Sequence, residues 1–473
     1  SAASLLESGG VLALRGLGGF HLAVVASDEE AVTRLRERKG RYEKPLAVMV
    51  DDLAAAQRLA YLGEREMGLL TSRERPIVLA RRRPMAALAA SISPGLDTVG
   101  IMLAYTPLHT LLLRVVGRPL VMTSGNVSEL PIATANEESR VSLGAIADGF
   151  LTHDREIVSR YDDSVVRVIG DSPTFIRRAR GFAPLPVELP VALPRPVLAT
   201  GPHLKNTFAL AVDRTVFVSQ HIGDLENLET LQHFRSALAR FRELFRIEPR
   251  VVVCDEHPGY LSTRVAEELA LELGEESGPG STGVPVIRVQ HHHAHIAAVA
   301  AEHGRTGPVV GLAFDGTGYG ADGHTWGAEV LVADLVRYRR AAHLRYAPMP
   351  GGDIAARRPW RAALGYRTLA PGSADAFEAA FGEVSRAELR LVEQQALRGV
   401  NSPLASSMGR LFDAASAVLG LRADARYEGQ AAMELESVAW SVLVGPDKGP
   451  LASGEQIRAR AAQIGVPELP FPD

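Results

Sequence analysis

The sequence contains very little cysteine, since Cys254 is the only one in 473 residues. A single cysteine excludes an internal disulfide framework and any cysteine-rich zinc finger. The composition therefore favours a reducing environment, and we expect a cytoplasmic protein.

Long apolar segments are also absent. No uncharged run approaches the roughly 18 residues that a membrane-spanning helix needs. The first residues, SAASLLESGG, lack the positively charged start and the cleavage site of a secretory signal, and they begin with serine instead of methionine. We expect no membrane segment, and we expect that the chain is a trimmed part of a longer protein.

An excess of positive charge is missing as well. Lysine and arginine number 51 against 55 aspartate and glutamate residues, so the net charge is −4. A domain that binds duplex nucleic acid usually carries a strong basic surface. Nucleic acid is therefore not an expected partner.

The chain is long enough for two to four domains of about 150 residues each. Its first part alternates strand-like runs such as VLALRG and PLVMTSGN with helical segments such as SDEEAVTRLRERKG. In that helix, Ser27 and Glu30 are predicted to form a capping box, and Gly40 is predicted to end it. This alternation predicts an α/β domain.

A proline-rich stretch, PLPVELPVALPRP, interrupts the pattern near residue 184. Closely spaced prolines disfavour helices and central strands, so an extended connector is expected. We predict one domain over residues 1–184, a linker over 185–196 and a second α/β domain over 197–473.

Three cations lie close together where the first long helix ends. Lys39, Arg41 and Lys44 follow one another in RERKGRYEKP, and such a group can hold a polyphosphate. The alternative is a solvated surface loop, which this feature alone favours.

A second polar group follows an apolar strand in VMTSGN. Thr123, Ser124 and Asn126 are small polar side chains at a strand end, a position that suits nucleotide binding in an open α/β sheet.

The segment RYDDSVVRV places five polar residues on a probable strand. These are Arg160, Asp162, Asp163, Ser164 and Arg167. Paired carboxylates could bind a metal, but an internal network of ion pairs is the favoured interpretation.

Histidine is concentrated in HHHAH. His291 and His295 are four residues apart, so on a helix both would lie on one face, a spacing that can bind one metal ion. His292 and His293 point elsewhere and are poorer candidates. The alternative is a hydrogen-bonded or solvated histidine cluster.

A possible third ligand occurs in AFDGTGYG, where Asp315 follows an apolar run and precedes Gly316, Thr317 and Gly318. A carboxylate at a strand end beside glycines can approach a metal or a phosphate. The alternative is a tight hairpin turn.

Two sets of motifs resemble known families. Lys39-x-Arg41 with Ser124-x-Asn126 resembles the nucleotide signature of YrdC-like domains. The later motifs LATGPHLKNTFALA, SQHIGDLENLETL, CDEHPGYLSTR, HHHAH, FDGTGYG, SSMGRLFDA and YEGQAAMELE resemble the HypF carbamoyltransferases of NiFe-hydrogenase maturation. The resemblance extends from about Leu12 to Glu436.

The resemblance implies a YrdC-like α/β domain followed by an α/β domain of the ASKHA (actin-like) fold. It implies that carbamate, supplied from carbamoyl phosphate, reacts with ATP and magnesium to give carbamoyl-adenylate. The carbamoyl group would then pass to the C-terminal cysteine of HypE, and the product would become a cyanide ligand of iron. A zinc or iron ion would lie in the second domain.

It also implies roles for individual residues. Lys39 and Arg41 would be catalytic, and His291, His295 and Asp315 would bind the metal. Nucleotide contacts would come from Lys39, Arg41, Lys44, Thr123, Ser124, Asn126, Arg160, Lys205, Asn206, Gly316, Thr317, Gly318 and Glu428.

The sequence departs from the family pattern in three ways. It lacks the N-terminal acylphosphatase and zinc-finger modules, and it has Tyr161 where members usually have cysteine. It stops before the family's last glycine-rich loop and last metal-binding aspartate, so the second domain is expected to be incomplete.

Three other functions are alternatives to this one. Antibiotic O-carbamoyltransferases carry the two domains in the opposite order, and threonylcarbamoyl-adenylate synthesis would not explain the later motifs. A non-catalytic nucleotide-binding scaffold for HypE is the third.

Overall fold

The computed structural model describes residues 1–127, 130–276, 283–369, 380–382 and 384–444. The last part of the predicted second domain, residues 445–473, lies outside the described residues. Two compact units are present. The first contains Ser1–Pro184 and the described residues from Glu436 onward, and the second contains Leu185–Leu435.

The first unit is built on one ten-stranded mixed sheet with the order β10-β9-β5-β6-β3-β7-β2-β1-β8, in which β4 pairs with β5. Its strands are β1 (Leu12–Arg15), β2 (Phe20–Val25), β3 (Ala47–Val50), β4 (Ala60–Tyr61), β5 (Ile77–Arg82), β6 (Thr98–Leu103), β7 (Leu120–Ser124), β8 (Gly149–Leu151), β9 (Val165–Ile169) and β10 (Ser172–Arg177). Its helices are α1 (Ala2–Glu7), α2 (Glu29–Lys39), α3 (Leu53–Leu59), α4 (Glu64–Thr71), α5 (Pro107–Val116) and α6 (Asn136–Leu143), with a 3₁₀ turn at Ala90–Ile92.

The central strand β2 is buried along its whole length. Side chains alternate across a strand, so Leu22 and Val24 join the core on one face and Ala23 and Val25 join the core on the other. Full burial of a valine or leucine side chain contributes about 1.5–3 kcal/mol. Packing on both faces therefore fixes β2, and with it the neighbouring end of β7.

Helix α2 begins one residue later than the predicted capping box. The Asp28 carboxylate accepts a hydrogen bond from the Ala31 N–H at 3.0 Å, so Asp28 is the N-cap and the predicted pair of Ser27 and Glu30 is wrong. Gly40 ends the helix with φ of 67°, as predicted, because a left-handed residue there favours glycine.

The second unit contains two sheets. The first has the order β11-β14-β13-β12-β15-β16, and the second has the order β17-β18-β21-β20, with β19 paired to β18. The strands are β11 (Val187–Glu188), β12 (Val197–Ala199), β13 (Ala209–Val212), β14 (Thr215–Val218), β15 (Val251–Asp255), β16 (Val286–Val289), β17 (Val309–Tyr319), β18 (Thr325–Ala333), β19 (Tyr338–His343), β20 (Ala347–Pro348) and β21 (Leu404–Ala405).

The helices that follow α6 in the described residues are α7 (Leu228–Phe245), α8 (Leu261–Glu275), α9 (His291–Glu302), α10 (Asp353–Arg357), α11 (Pro359–Arg367), α12 (Arg386–Leu397), α13 (Met408–Val418) and α14 (Gln430–Val444). None of the helices among the described residues is both long enough and apolar enough to span a membrane.

Strand β17 differs from its predicted form. Asp315 was expected at a strand end, but the strand continues to Tyr319. Phe314 pairs with Ala328 and Gly318 pairs with Trp326, so three residues of β17 lie opposite one residue of β18. Asp315 therefore lies inside the strand, at a β-bulge, and neither a strand end nor a hairpin turn describes it.

Candidate functional site

Lys39 is the last residue of α2, and only 3% of its surface is exposed. Its Nζ donates hydrogen bonds to the backbone oxygens of Ser124 (2.6 Å) and Asn126 (2.7 Å) and to Asn126 Oδ1 (2.7 Å). The interpretation of this segment as a solvated loop is wrong for Lys39. The lysine is buried because it closes over the end of β7, a contact between residues 85 positions apart.

The three oxygen acceptors around Lys39 match the three N–H bonds of an ammonium ion. Burial, and then the positive charge of Arg41, lower the pKa of Lys39 to about 7, while Asp162 acts in the opposite direction. The side chain therefore carries its charge only with difficulty near neutral pH. An anionic group bound beside it would stabilise the charged form.

The loop after α2 is held by a second buried cation. The Arg36 guanidinium donates from Nη1 to the carbonyl oxygens of Arg41 (2.8 Å) and Lys44 (3.0 Å), and only 4% of Arg36 is exposed. Arg41 Nη1 in turn donates to Thr123 Oγ1 at 3.3 Å. The Lys44 side chain is exposed. Arg36 thus fixes the loop that carries two of the predicted cations, a role that the sequence did not reveal.

The strand end also fits closely against β2. The Gly125 N–H donates to the Phe20 carbonyl at 2.6 Å, and a Cβ on Gly125 would lie 2.6 Å from Phe20 Cβ. Only glycine permits this approach. The Ser124 hydroxyl donates to Asn126 Oδ1 at 2.6 Å. The structure therefore brings Lys39 and Asn126 together with Ser124 in one fixed group.

The RYDDSVVRV segment forms ion pairs, as expected, but its partners come from other parts of the chain. Buried Asp163 contacts Arg180 Nε at 2.7 Å and His21 Nε2 at 3.2 Å. Burial acts to raise the pKa of Asp163, but Arg180 and His21 outweigh it and hold this pKa well below the usual range. Strand β9 begins only at Val165, so the predicted strand starts too early. Arg160 pairs with Glu138 at 2.9 Å.

In the second unit, His291, His295 and Asp315 offer two imidazole nitrogens and a carboxylate oxygen within 4.8 Å of one another. His291 Nε2 lies 3.1 Å from Asp315 Oδ2 and 3.2 Å from His295 Nε2. Helix α9 supplies the histidines and the bulge of β17 supplies the carboxylate. His292 is fully buried, and burial followed by the nearby His291 lowers its pKa to about 4.

Asp255, at the end of β15, is a further member of this group. Its Oδ2 accepts from His291 Nδ1 at 2.7 Å, which leaves Nε2 to face the cluster. Burial opposes the charged form of His291, but its hydrogen bonds to the carboxylates of Asp255 and Asp315 raise its pKa to about 9. Burial acts to raise the pKa of Asp315, but its hydrogen bond with His291 lowers it, and this pKa lies well below its usual range.

This donor set fits a divalent metal. Two imidazoles and a carboxylate are ligands that zinc and iron accept, and a second carboxylate on the far nitrogen of a ligating histidine commonly orients it. The carboxylates of Asp255 and Asp315, which favour the charged form of His291, would equally favour a cation at His291 Nε2. Asp255 was missed because it lies 36 residues before His291 in the sequence, although CDEHPGY was one of the noted motifs.

Gly318 of FDGTGYG packs closely against the histidine side chains. A Cβ on Gly318 would lie 2.4 Å from His292 Cε1 and 2.7 Å from His291 Cδ2. Ser407, the N-cap of α13, donates to the Gly316 carbonyl at 2.7 Å. The histidine helix and α13 therefore both contact β17 at the bulge.

The other predicted nucleotide contacts of the second unit divide into two groups. Lys205 and Glu428 are both exposed and form an ion pair at 2.9 Å, so two distant motifs meet. Asn206 is fully buried, and its Nδ2 donates to the carbonyls of Thr200 (2.8 Å) and Pro202 (2.6 Å). Its side chain therefore shapes a turn. The remaining predicted contacts, Gly316, Thr317 and Gly318, lie in β17 beside the histidines.

The sequence matches three protein-family models. Residues 4–179 match the Sua5/YciO/YrdC model described as "Telomere recombination", residues 192–302 match the "HypF Kae1-like domain", and residues 311–459 match "Carbamoyltransferase, Kae1-like Domain, second subdomain".

Curated relatives and solved structures agree with these matches. Carbamoyltransferase HypF2 of Cupriavidus necator is 46% identical over 94% of this chain and 56% of its own length. Carbamoyltransferase HypF of Rhizobium leguminosarum is 45% identical over 92% of this chain and 56% of its own length. A crystal structure of full-length HypF in a phosphate- and nucleotide-bound form has a TM-score of 0.87, 45% identity, and coverage of 92% of this chain and 56% of that one. A crystal structure of T. kodakarensis HypF has a TM-score of 0.86, 39% identity, and coverage of 93% and 58%.

A YrdC-like unit followed by a Kae1-like unit is the architecture of a carbamoyltransferase, and the predicted fold class is confirmed. The chain belongs to the HypF carbamoyltransferase family, as the sequence motifs indicated. It spans about 56% of the length of the curated relatives described above.

Proposed function

We propose that the chain transfers a carbamoyl group in two steps that use its two units. In the first unit, carbamate and ATP give carbamoyl-adenylate and pyrophosphate. In the second unit, the carbamoyl group passes to the C-terminal cysteine of HypE for synthesis of the cyanide ligands of a NiFe-hydrogenase. The observation that carries the proposal is the presence, on one chain, of a buried lysine that closes over the end of β7 and a His–His–Asp cluster.

In the first step, an oxygen of carbamate attacks the α-phosphorus of ATP, and pyrophosphate leaves. This reaction depends on neutralising phosphate charge and on holding the reactants in line. Lys39 and Arg41 supply the positive charge, and the strand end at Ser124 and Asn126 supplies fixed polar groups. The Bacillus subtilis relative named threonylcarbamoyl-AMP synthase, 31% identical over 29% of this chain, supports an adenylate product. Magnesium would accompany the ATP.

In the second step, the cysteine thiolate attacks the carbamoyl carbon, the bond from that carbon to the phosphate oxygen breaks, and AMP leaves with the electron pair. A divalent zinc or iron ion bound by His291, His295 and Asp315 would polarise the carbonyl group or hold the phosphate. Asp255 keeps His291 oriented for this role. Lys205 and Glu428 form an exposed polar pair that we assign to nucleotide contact.

The first step is tested by carbamate-dependent exchange of labelled pyrophosphate into ATP. The double substitution Lys39→Met and Arg41→Met should lower the exchange at least about 100-fold, because each removed cation stabilises transition-state charge. The control is Arg73→Met in the same unit, whose side chain is 79% exposed and should leave exchange unchanged. Bound ATP without any exchange in the wild-type chain would favour a nucleotide-binding scaffold instead.

The second step is tested by mass spectrometry of the acceptor. A peptide ending in cysteine should gain one carbamoyl group in the presence of carbamate and ATP, and His291→Ala should abolish this gain while pyrophosphate exchange continues. Carbamoylation of a small-molecule hydroxyl but not of the peptide would favour an O-carbamoyltransferase. We also place the protein in the cytoplasm, where ATP and reduced thiols are available.

A further inference from the structure

The second unit contains a stack of aromatic rings that the proposed reaction does not use. The Tyr260 ring lies between two imidazoles, with centroid distances of 3.8 Å to His257 and 5.1 Å to His203 and interplanar angles of 8° and 14°. Tyr319 packs edge-on against His257 at 5.1 Å. These contacts fix the plane of the His257 ring.

The remaining polar groups of His257 are fixed as well, except for one. Its N–H donates to Asp255 Oδ1 at 2.8 Å, and its carbonyl accepts from Thr263 Oγ1 at 2.9 Å. Its Nδ1 accepts from the Gly259 N–H at 3.0 Å. A neutral imidazole carries a single N–H, so the hydrogen lies on Nε2. Among the described residues, Nε2 is neither enclosed nor hydrogen-bonded.

His257 is tied to the same structure as the His–His–Asp cluster. The carboxylate of Asp255 accepts from the His257 backbone through one oxygen and from His291 Nδ1 through the other. Tyr319, which contacts the His257 ring, lies four residues after Asp315 on β17. One carboxylate and one strand therefore tie His257 to the elements that form the His–His–Asp cluster.

The charges around this ring select the group that it can bind. The nearby carboxylates of Asp255 and Asp353 are negative, and His203 is the basic neighbour. These carboxylates would repel an anionic group, whereas an uncharged carbonyl oxygen accepts a hydrogen bond without that cost.

We propose that His257 is a fixed, neutral hydrogen-bond donor that binds a substrate carbonyl oxygen during transfer. That oxygen belongs either to the carbamoyl group or to the peptide backbone of the thiol-bearing acceptor. The inference rests on the proposed function, and it adds a substrate-binding residue to the second step.

The test compares His257→Phe, which keeps a flat ring on Tyr260 but has no donor, with His257→Gln, which retains an N–H. Transfer to a peptide ending in cysteine should fall at least about tenfold in kcat/KM for His257→Phe. His257→Gln should recover most of this loss, and the control His203→Phe should match the wild type. A lower kcat would show that His257 binds the carbamoyl oxygen. A higher KM for the peptide would show that it binds the backbone carbonyl. Unchanged kinetics in His257→Phe would overturn the proposal.

Two further measurements separate this inference from the proposed function. Metal content and pyrophosphate exchange should be the same in all variants, which shows that only the donor has changed. A wild-type chain that transfers nothing would contradict the proposed function. The inference about His257 would then be tested by the tautomer of its ring. Nitrogen-15 NMR of the ring at pH 7.5 should show hydrogen on Nε2, and hydrogen on Nδ1 would overturn the inference by itself.

Discussion

Replacing Lys39 by methionine removes a buried charge and keeps a side chain of similar length. In the unfolded chain this lysine has a pKa near 10.5, whereas burial lowers it to about 7 in the folded protein. The folded state therefore binds fewer protons than the unfolded state between pH 7 and 10.5. Because stability rises with pH wherever the unfolded state holds more protons, Lys39 contributes its full stability above pH 10.5 and loses it as the pH falls through 7.

The magnitude follows from the two pKa values. A tenfold change in acidity corresponds to about 1.36 kcal/mol, so the complete effect is at most about 5 kcal/mol. Between pH 7 and pH 9, the unfolding free energy of the wild type should rise by about 2 kcal/mol relative to that of Lys39→Met. Amide hydrogen exchange in β2 and β7 measures this difference within the first unit. A difference that does not change with pH would mean that folding does not lower the pKa of Lys39.

ATP provides a second measurement of the same group. At pH 8 a pKa of about 7 leaves roughly one tenth of Lys39 protonated, so binding of phosphate beside it should take up about 0.9 protons. Calorimetry in buffers of different ionisation enthalpy measures this number. The exposed Lys44 serves as the control, since Lys44→Met should retain the uptake and Lys39→Met should lose it. Equal uptake in both variants would show that the phosphates do not approach Lys39.

The second unit gives three further predictions. Asp255→Asn should weaken metal affinity about 10- to 100-fold, because it removes the carboxylate that orients His291. Competition with chelators measures this affinity, and an unchanged value would contradict the prediction. Gly318→Ala should displace the histidine rings and lower the metal content measured by elemental analysis, whereas Gly307→Ala, with nothing within 4 Å of the added Cβ, should not. Metal binding at pH 7.5 should release about one proton, because the pKa of His291 is about 9 before binding. The metal affinity should therefore fall about tenfold for each pH unit below 9. Calorimetry that detects no proton release on metal binding would contradict this prediction.

Local rules in the sequence predicted the α/β class, the end of α2 at Gly40 and the proximity of His291 to His295. These features depend on residues close together in the chain, whose geometry the helix or turn dictates. The family motifs added the order of the two units. Metal binding by the His–His–Asp cluster, and the nucleotide contacts, stay predictions.

The features that the sequence did not predict depend on distant partners. Lys39 looked solvated because it lies in a charged run, and only the folded sheet brings Ser124 and Asn126 over it. Asp255 looked like one carboxylate among many until β15 and α9 placed it on His291. Hydrogen bonds between such remote side chains leave no periodic pattern in a sequence, so composition and spacing cannot reveal them.

The bulge in β17 has a consequence for how this sequence is balanced between folding and function. Asp315, Gly316 and Thr317 face Gly327 alone, and a Cβ on Gly327 would lie 2.6 Å from the Asp315 carbonyl oxygen. The bulge leaves the regular ladder, and Ser407 Oγ holds its backbone instead by donating to the carbonyls of Asp315 at 3.2 Å and Gly316 at 2.7 Å. The strand segment that carries the Asp315 carboxylate is therefore held by the N-cap of α13, so the folding of that helix and the geometry of the cluster depend on each other.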